Sequence, residues 1–314
     1  MSRELTPAPI AKPVRIRSGD VVGVVAPSGV VEEARLMAGS GVLEAMGFRV
    51  VTGDAVLVRR GYLAGSDAER SADLQRMIDD PAIGAVFCAR GGFGCQRVVP
   101  LLDLAALRRR PKSLIGYSDA TALLAALGKA NLVGIHGPMV AADMARGLSA
   151  RSREHLRRLL GDPTYCWELE APTCIRAGRA RGRLAGGCLS VLVATLGTPW
   201  APDFDGAIVF LEDVHEWPYR LDRLLTHLRQ SGCLERPAGV VFGTMDACHP
   251  LDGVSPIDVV RDLFADAPYP VALGLPAGHT SAATGVENLA LPLGVEVELD
   301  AGVGRLGACE PAVV

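Results

Sequence analysis

Ser118 lies in Gly-Tyr-Ser-Asp, where an apolar run gives way to the helical pattern that begins near Asp119. A serine on such a strand-to-helix turn projects its hydroxyl beyond the strand end, and the N–H groups after it face any oxyanion formed there. The pattern is G-x-S-D rather than the G-x-S-x-G of α/β-hydrolases, and service as a helix N-cap also accounts for it. A second candidate is Arg90-Gly91-Gly92-Phe93-Gly94, after the run at 83–88. Consecutive glycines let backbone N–H groups approach a ligand, and a guanidinium beside them can hold a carboxylate. A plain turn explains the same glycines, and neither G-x-x-x-x-G-K-[ST] nor a well-placed G-x-G-x-x-G accompanies them. The third candidate is split between 210–220, with Glu212, Asp213 and Glu216, and 275–280, with His279. A serine needs a base to take its proton, and the base needs an acid to fix its tautomer, so these segments could complete a Ser–acid–His relay. Three carboxylates compete as the acid and His136 competes with His279 as the base; each could instead be an ordinary structural or surface group. Cys88 and Cys95 offer thiols, but Cys88 falls inside an apolar run, where burial raises a thiol pKa.

Such residues must sit on strand ends and turns, and the first half of the chain supplies these in alternation. The Val-rich run at 21–29 ends in Pro-Ser-Gly, as a buried parallel strand breaking into a turn does. Helical spacing follows at Val31, Ala34, Met37, Val42 and Met46 and stops at Gly47. Next come a strand at 48–53, a helix at 67–79 opened by acidic residues, and a strand with its glycine loop at 83–94. A helical stretch after Pro100, a strand–turn–helix at 113–130 and a strand with a loop at 132–140 complete the series. This βαβα rhythm predicts an open parallel sheet covered on both faces.

Beyond about residue 145 the pattern changes. An amphipathic helix at 151–163 precedes an Arg/Gly-rich, turn-prone stretch at 164–187 and a buried helix that ends at Gly197. A strand at 206–214, an amphipathic helix at 218–234 and strands at 238–245, 287–294 and 295–301 follow. The expected organisation is a flexible N-terminal arm (1–18), an α/β domain carrying Ser118 (19–150), a linker (151–180) and a smaller β-rich C-terminal domain (181–314).

Composition narrows the function classes. With 32 Lys and Arg against 35 acidic residues the formal charge is −3, which gives no electrostatic footprint for nucleic acid or an anionic membrane surface. No apolar run approaches the roughly 18 residues of a membrane span, and the first 19 residues hold no apolar core of a signal peptide, so a cytoplasmic protein is expected. Eight cysteines without a C-x-x-C pair read as reduced thiols. The six histidines show no metal-ligand spacing with them, so neither a metal nor another cofactor is expected.

Seven motifs in chain order raise the specificity of this reading: VVAPSG, ARGGFGCQRVVPLLD, IGYSDATALL, GIHGPM, GGCLSVLVATLGTPW, FLEDVHEWPYRLDRLL and AGHT with NLALPLG. Together, from about residue 20 to 300, the chain resembles the LD-carboxypeptidases, serine peptidases that trim cytoplasmic murein peptides. The resemblance implies Ser118 as nucleophile, Glu212 as the acid and His279 as the base. It places the oxyanion hole at the N–H of Asp119 and a backbone N–H of the glycine loop, Gly92. It also implies an N-terminal domain similar to class I glutamine amidotransferases, a small peptide substrate ending in D-Ala after a diamino acid, and a homodimer. Arg90 and Gly91 are candidates for the substrate carboxylate, and Glu216 and Trp217 for the diamino acid. Two departures stand out: the stretch from His279 to LPLG is longer than in the compact form of the family, and Phe93 replaces a frequent Tyr. Microcin C immunity peptidases are the close rival within the family, and a non-catalytic binding protein of the same fold is the rival from another class.

Overall fold

Strands separated by helical patterns build two sheets, with valine-rich runs such as VVGVV (21–25) in the first and charged strands such as RARGRLAGGC (179–188) in the second. The structure is a computed structural model that describes residues 9–280 and 287–314. The strands in chain order are β1 (Val21–Val25), β2 (Arg49–Thr52), β3 (Ile83–Cys88), β4 (Ser113–Gly116), β5 (Gly134–His136), β6 (Glu168–Glu170), β7 (Thr173–Arg176), β8 (Arg179–Cys188), β9 (Ile208–Val214), β10 (Gly239–Asp246), β11 (Val271–Leu273), β12 (Leu291–Leu293), β13 (Glu296–Asp300) and β14 (Arg305–Ala308). The first sheet has the order β12-β5-β4-β3-β1-β2, with β1 to β5 parallel and β12 antiparallel to β5. Its central strands β1, β3, β4 and β5 are buried nearly throughout, as cover on both faces requires, whereas the edge strand β2 is largely exposed.

Those helices are α1 (Glu33–Ala45), α2 (Asp67–Asp79), the short α3 (Cys95–Val98) and α4 (Leu104–Arg109), and α5 (Thr121–Lys129). Ser66 opens α2 with a capping box: its hydroxyl accepts from the Glu69 N–H while the Glu69 carboxylate takes the Ser66 N–H. The stretch after Pro100 is not one helix, since the chain leaves helical geometry at Leu102 and restarts with Asp103 as the N-cap of α4.

The second half of the chain is less purely β than its sequence suggests. Its sheet runs β6-β14-β13-β8-β9-β10-β11-β7, and β8, β9, β10 and β11 form a parallel centre. After α6 (Ala150–Gly161), three more helices connect this centre: α7 (Leu189–Ala194), α8 (Pro218–Gln230) and α9 (Pro256–Phe264). The α/β rhythm therefore recurs, masked in the sequence by glycines in β8 and by the brevity of β11. The stretch at 151–180 is not a linker but supplies α6 and the two edge strands β6 and β7. The described part of the N-terminal arm is packed rather than loose: Ile16 is buried, its N–H donates to the Leu160 carbonyl (2.9 Å), and Ala11 bridges Leu132. Residues 1–8 of that arm lie outside the described residues.

One apolar core runs from Phe87 and Ile115 of the first sheet and Leu123 of α5 into Leu184, Ile208 and Phe210 of the second sheet. Continuous burial of this kind holds the lobes in one arrangement. Backbones approach closely at the junction: a Cβ on Gly187 would lie 2.7 Å from the Thr121 methyl, and the Thr121 hydroxyl accepts the Cys188 N–H at 3.1 Å.

Candidate active site

β4 ends at Gly116, and the chain turns sharply through Tyr117 and Ser118 into α5. Ser118 has φ of 60°, a left-handed conformation rare for a residue with a side chain. The turn is held from beneath by Asp119, whose buried Oδ2 accepts the Ser28 hydroxyl (2.6 Å) and the Cys95 N–H (2.8 Å). Burial raises the Asp119 carboxyl pKa, opposed by those two bonds and by the charge of Arg70. This one side chain thus ties the Pro-Ser-Gly turn after β1, the end of the glycine loop and the Ser118 turn together. Arg70, itself buried, adds a bond to the Pro27 carbonyl beneath the same loop.

The glycine loop needs its glycines for space. A Cβ at Gly91 would stand 2.8 Å from both Cβ and Oγ of Ser118, so no larger residue fits against the serine. The Gly91 carbonyl is turned away to accept the Gly29 N–H at 3.2 Å. Across a trans peptide the Gly92 N–H therefore points the opposite way.

The second sheet brings an acid and a base to the same place. Glu212, the fifth residue of β9, is fully buried, and its Oε2 accepts the His279 backbone N–H at 2.9 Å and lies 2.7 Å from His279 Nδ1. A carboxylate only accepts, so in the neutral ring Nδ1 carries the proton and the lone pair lies on Nε2. Burial alone would raise the Glu212 pKa, but the charge and hydrogen bonds of His279, joined by His136, outweigh it and hold the carboxyl down at about 2. Burial likewise opposes charge on His279, while Glu212 chiefly, with Asp213 and Asp143, raises its pKa above the ordinary value. Gly278 makes this approach possible: at φ of 116° its missing Cβ leaves room for Glu212 Oε2, only 2.7 Å from where that atom would be. Asn288 accepts the Gly278 N–H at 3.0 Å, and the Tyr117 ring packs edge-on against the His279 ring at 4.9 Å.

Ser118 and His279 line one cavity of about 250 Å³, together with Tyr117, Arg90, Gly91 and Gly92. Arg35 and Arg146 line it as well, with Glu32 as its single acid. A strained serine, a polarised imidazole and three guanidinium groups thus share one small space.

Comparison with known proteins bears on this arrangement. The model of the LD-carboxypeptidase N-terminal domain matches residues 22–137, and that of the LD-carboxypeptidase C-terminal domain matches residues 181–299. The chain belongs to the LD-carboxypeptidase family. It is 34% identical to the murein tetrapeptide carboxypeptidase of Pseudomonas aeruginosa, over 89% of this chain and 92% of that one. The crystal structure of muramoyltetrapeptide carboxypeptidase from Oxalobacter formigenes superposes with a TM-score of 0.80 at 31% identity, covering 91% and 97% of the two chains. The microcin C7 self-immunity protein of Escherichia coli is 26% identical over 93% of each chain. A structure of that protein with adenosine monophosphate shares the fold at a TM-score of 0.87, with 23% identity and coverage of 97% and 100%.

Within this LD-carboxypeptidase family member, the competing residues find other work. His136, at the end of β5, is completely buried and does not line the cavity, so it cannot meet a substrate there. Asp213 faces away from Glu212 and caps α7, accepting the Ser190 N–H at 2.7 Å. Cys88 is buried beside Asp119, and burial pushes its thiol up to about 12. Glu216 and Trp217 are outside the cavity lining: Glu216 is half-buried 3.9 Å from Arg220, and Trp217 is exposed at the start of α8. Arg90 braces the loop through the Val30 carbonyl (3.0 Å) and lines the cavity as well. Cys188 lies with Glu212 and His279 in a group whose ligand atoms are within 4.8 Å of one another. A metal ion there would have to displace the Nδ1 proton and ionise a thiol whose pKa burial holds well above its ordinary value.

Sequence reasoning did not find Arg35 and Arg146, because neither sits in a motif and both reach the cavity from helical turns. Nor did it find the role of the Asp119 side chain, although the S-D dipeptide after the turn was a usable signal.

Proposed function

We propose that this protein is a serine peptidase that removes the C-terminal D-Ala from murein tetrapeptides by cleaving the L,D bond after the diamino acid. The observation that carries the reading is the Glu212–His279 pair, at 2.7 Å, whose imidazole shares a cavity with a serine held at φ of 60°. The murein peptide specificity named for the Pseudomonas and Oxalobacter relatives supports the substrate class.

In this mechanism the Ser118 hydroxyl attacks the scissile carbonyl carbon while His279 Nε2 takes its proton, and the Glu212 carboxylate stabilises the imidazolium that results. The oxygen of the tetrahedral intermediate becomes an oxyanion that receives the N–H groups of Gly92 and Asp119. Collapse of the intermediate breaks the C–N bond, and the imidazolium gives its proton to the departing D-Ala amine. Water, deprotonated by the same imidazole, then hydrolyses the acyl-serine and returns Ser118 to its starting form.

The guanidinium groups suit the substrate's carboxylates. Arg90 is the partner we assign to the D-Ala carboxylate, beside the Gly91–Gly92 backbone, with Arg35 and Arg146 available to the acidic groups upstream. The resemblance of the chain to its family supports a cytoplasmic recycling role and a homodimer, and no helix among the described residues is long and apolar enough to cross a membrane.

The test is mass spectrometry of the purified protein incubated with L-Ala-D-Glu-mDAP-D-Ala. Loss of the terminal D-Ala is expected, and it should vanish in Ser118→Ala. An intact tetrapeptide, with cleavage of an aminoacyl-nucleotide amide in a parallel incubation, would transfer the chain to the immunity type.

A further inference from the structure

Glu212 uses only one of its carboxylate oxygens on His279. Oε2 takes both N–H groups of that residue, while Oε1 is buried with no hydrogen-bond partner. Nε2 of His136 lies 3.5 Å from Oε1, and both ring nitrogens of His136 are also buried without a hydrogen-bond partner. The imidazole cannot simply turn aside. It is packed between the Phe210 ring (5.0 Å, edge-on) and the Tyr117 ring (5.5 Å), at zero exposure. Its strand is fixed on both sides, since His136 pairs with Gly116 of β4 and with Leu291 of β12.

Two buried, unsatisfied polar groups of complementary kind, at the outer limit of hydrogen-bond range, define a relationship. We propose that His136 is a positioning residue: its Nε2–H donates to Glu212 Oε1 and so fixes the carboxylate with Oε2 toward His279. The inference rests on the reading of Glu212 and His279 as acid and base. It assigns to His136 neither proton transfer nor contact with substrate. Without that donor, Oε1 stays unsatisfied in an apolar surround, and the carboxylate is free to rotate away from the geometry that fixes the His279 tautomer.

Three variants of the full chain separate this role from packing. His136→Phe keeps ring volume without a donor, His136→Asn keeps polarity but is too short to reach, and His136→Gln places an amide donor near the original Nε2. Two readouts apply: kcat and KM on L-Ala-D-Glu-mDAP-D-Ala, and the tautomer of His279 from long-range 1H–15N NMR of its ring. In the unsubstituted protein the ring proton should be fixed on Nδ1. His136→Phe and His136→Asn should lower kcat about 10- to 100-fold, with KM within twofold, and give a mixed tautomer. His136→Gln should restore the Nδ1 tautomer and most of kcat. Equal behaviour of the Asn and Gln variants, or an unaltered tautomer in both Asn and Phe variants, would overturn the proposal. If the Phe variant does not fold, the Asn–Gln pair alone decides. Should the unsubstituted protein leave the tetrapeptide intact, the proposed substrate is lost, while the tautomer comparison still judges His136.

Discussion

The turn after β4 lines the cavity through Ser118, and the end of β9 reaches it only through His279, which Glu212 holds; the two are built on different physics. At the first, function depends on backbone: a strained φ at Ser118, a glycine loop too close for any Cβ, and a buried Asp119 that locks three turns to one another. At the second it depends on charge: a fully buried carboxylate made tolerable by two histidines. The contrast teaches how each end should fail. The serine end should break when atoms are added, and the glutamate end when charge is removed without any change of shape.

The largest effect should come from Ser118→Ala, which removes the proposed attacking atom; a loss of about 10^4- to 10^6-fold in kcat, with near-native thermal unfolding, is expected from steady-state assays. Glu212→Gln comes next. It keeps the shape of the side chain but removes the charge that fixes His279, and kcat should fall about 10^4-fold. A residual rate near that of the unsubstituted enzyme would mean that charge does not govern this end. Gly91→Ala adds one methyl group 2.8 Å from the serine, and should cost about 100-fold in kcat by displacing Ser118 while leaving the His279 titration untouched. A comparable loss accompanied by a shifted His279 titration would dissolve the distinction between the two ends.

The pH dependence sharpens the same comparison. As the proposed base His279 must be neutral, and its pKa is raised above 6.5, so the acid limb of kcat/KM should lie above the pH of a free imidazole. For stability the same pair has two edges. A raised His279 contributes fully below 6.5 and loses its contribution as pH climbs through the folded value; a Glu212 lowered from 4.5 to about 2 contributes above 4.5 and loses it as pH falls toward 2. Unfolding midpoints measured across this range should therefore be flatter for Glu212→Gln than for the parent at both edges. The smallest effect belongs to Ser66→Ala, far from the cavity on α2: about 1 kcal/mol of stability from a lost cap and unchanged kcat.

Much of the first lobe could be read from the chain because its signals are local. Val-rich runs, the acidic opening of the helix at 67–79 and the stop at Gly47 each depend on neighbours within a few residues. Ser118 was readable for the same reason, and the Glu212 and His279 assignments came from resemblance, since 67 residues separate them and spacing says nothing of contact. The second lobe was harder. Glycines in β8 look like a loop in sequence, yet they are there because backbones close in: a Cβ on Gly186 would overlap the Phe210 carbonyl of the neighbouring strand. Arg35 and Arg146 escaped notice because an arginine on a helix carries no local mark of what it faces.

The short strand β12 has a consequence for the whole molecule. The chain leaves the second sheet at β11, passes through His279, and then joins the edge of the first sheet beside β5 before returning to the second sheet as β13. The imidazole is thus strung on a strap anchored in both lobes, and neither half of the chain can be made alone without tearing it. An isolated N-terminal fragment would bare the flank of β5 that β12 now covers, an invitation to pair with other copies.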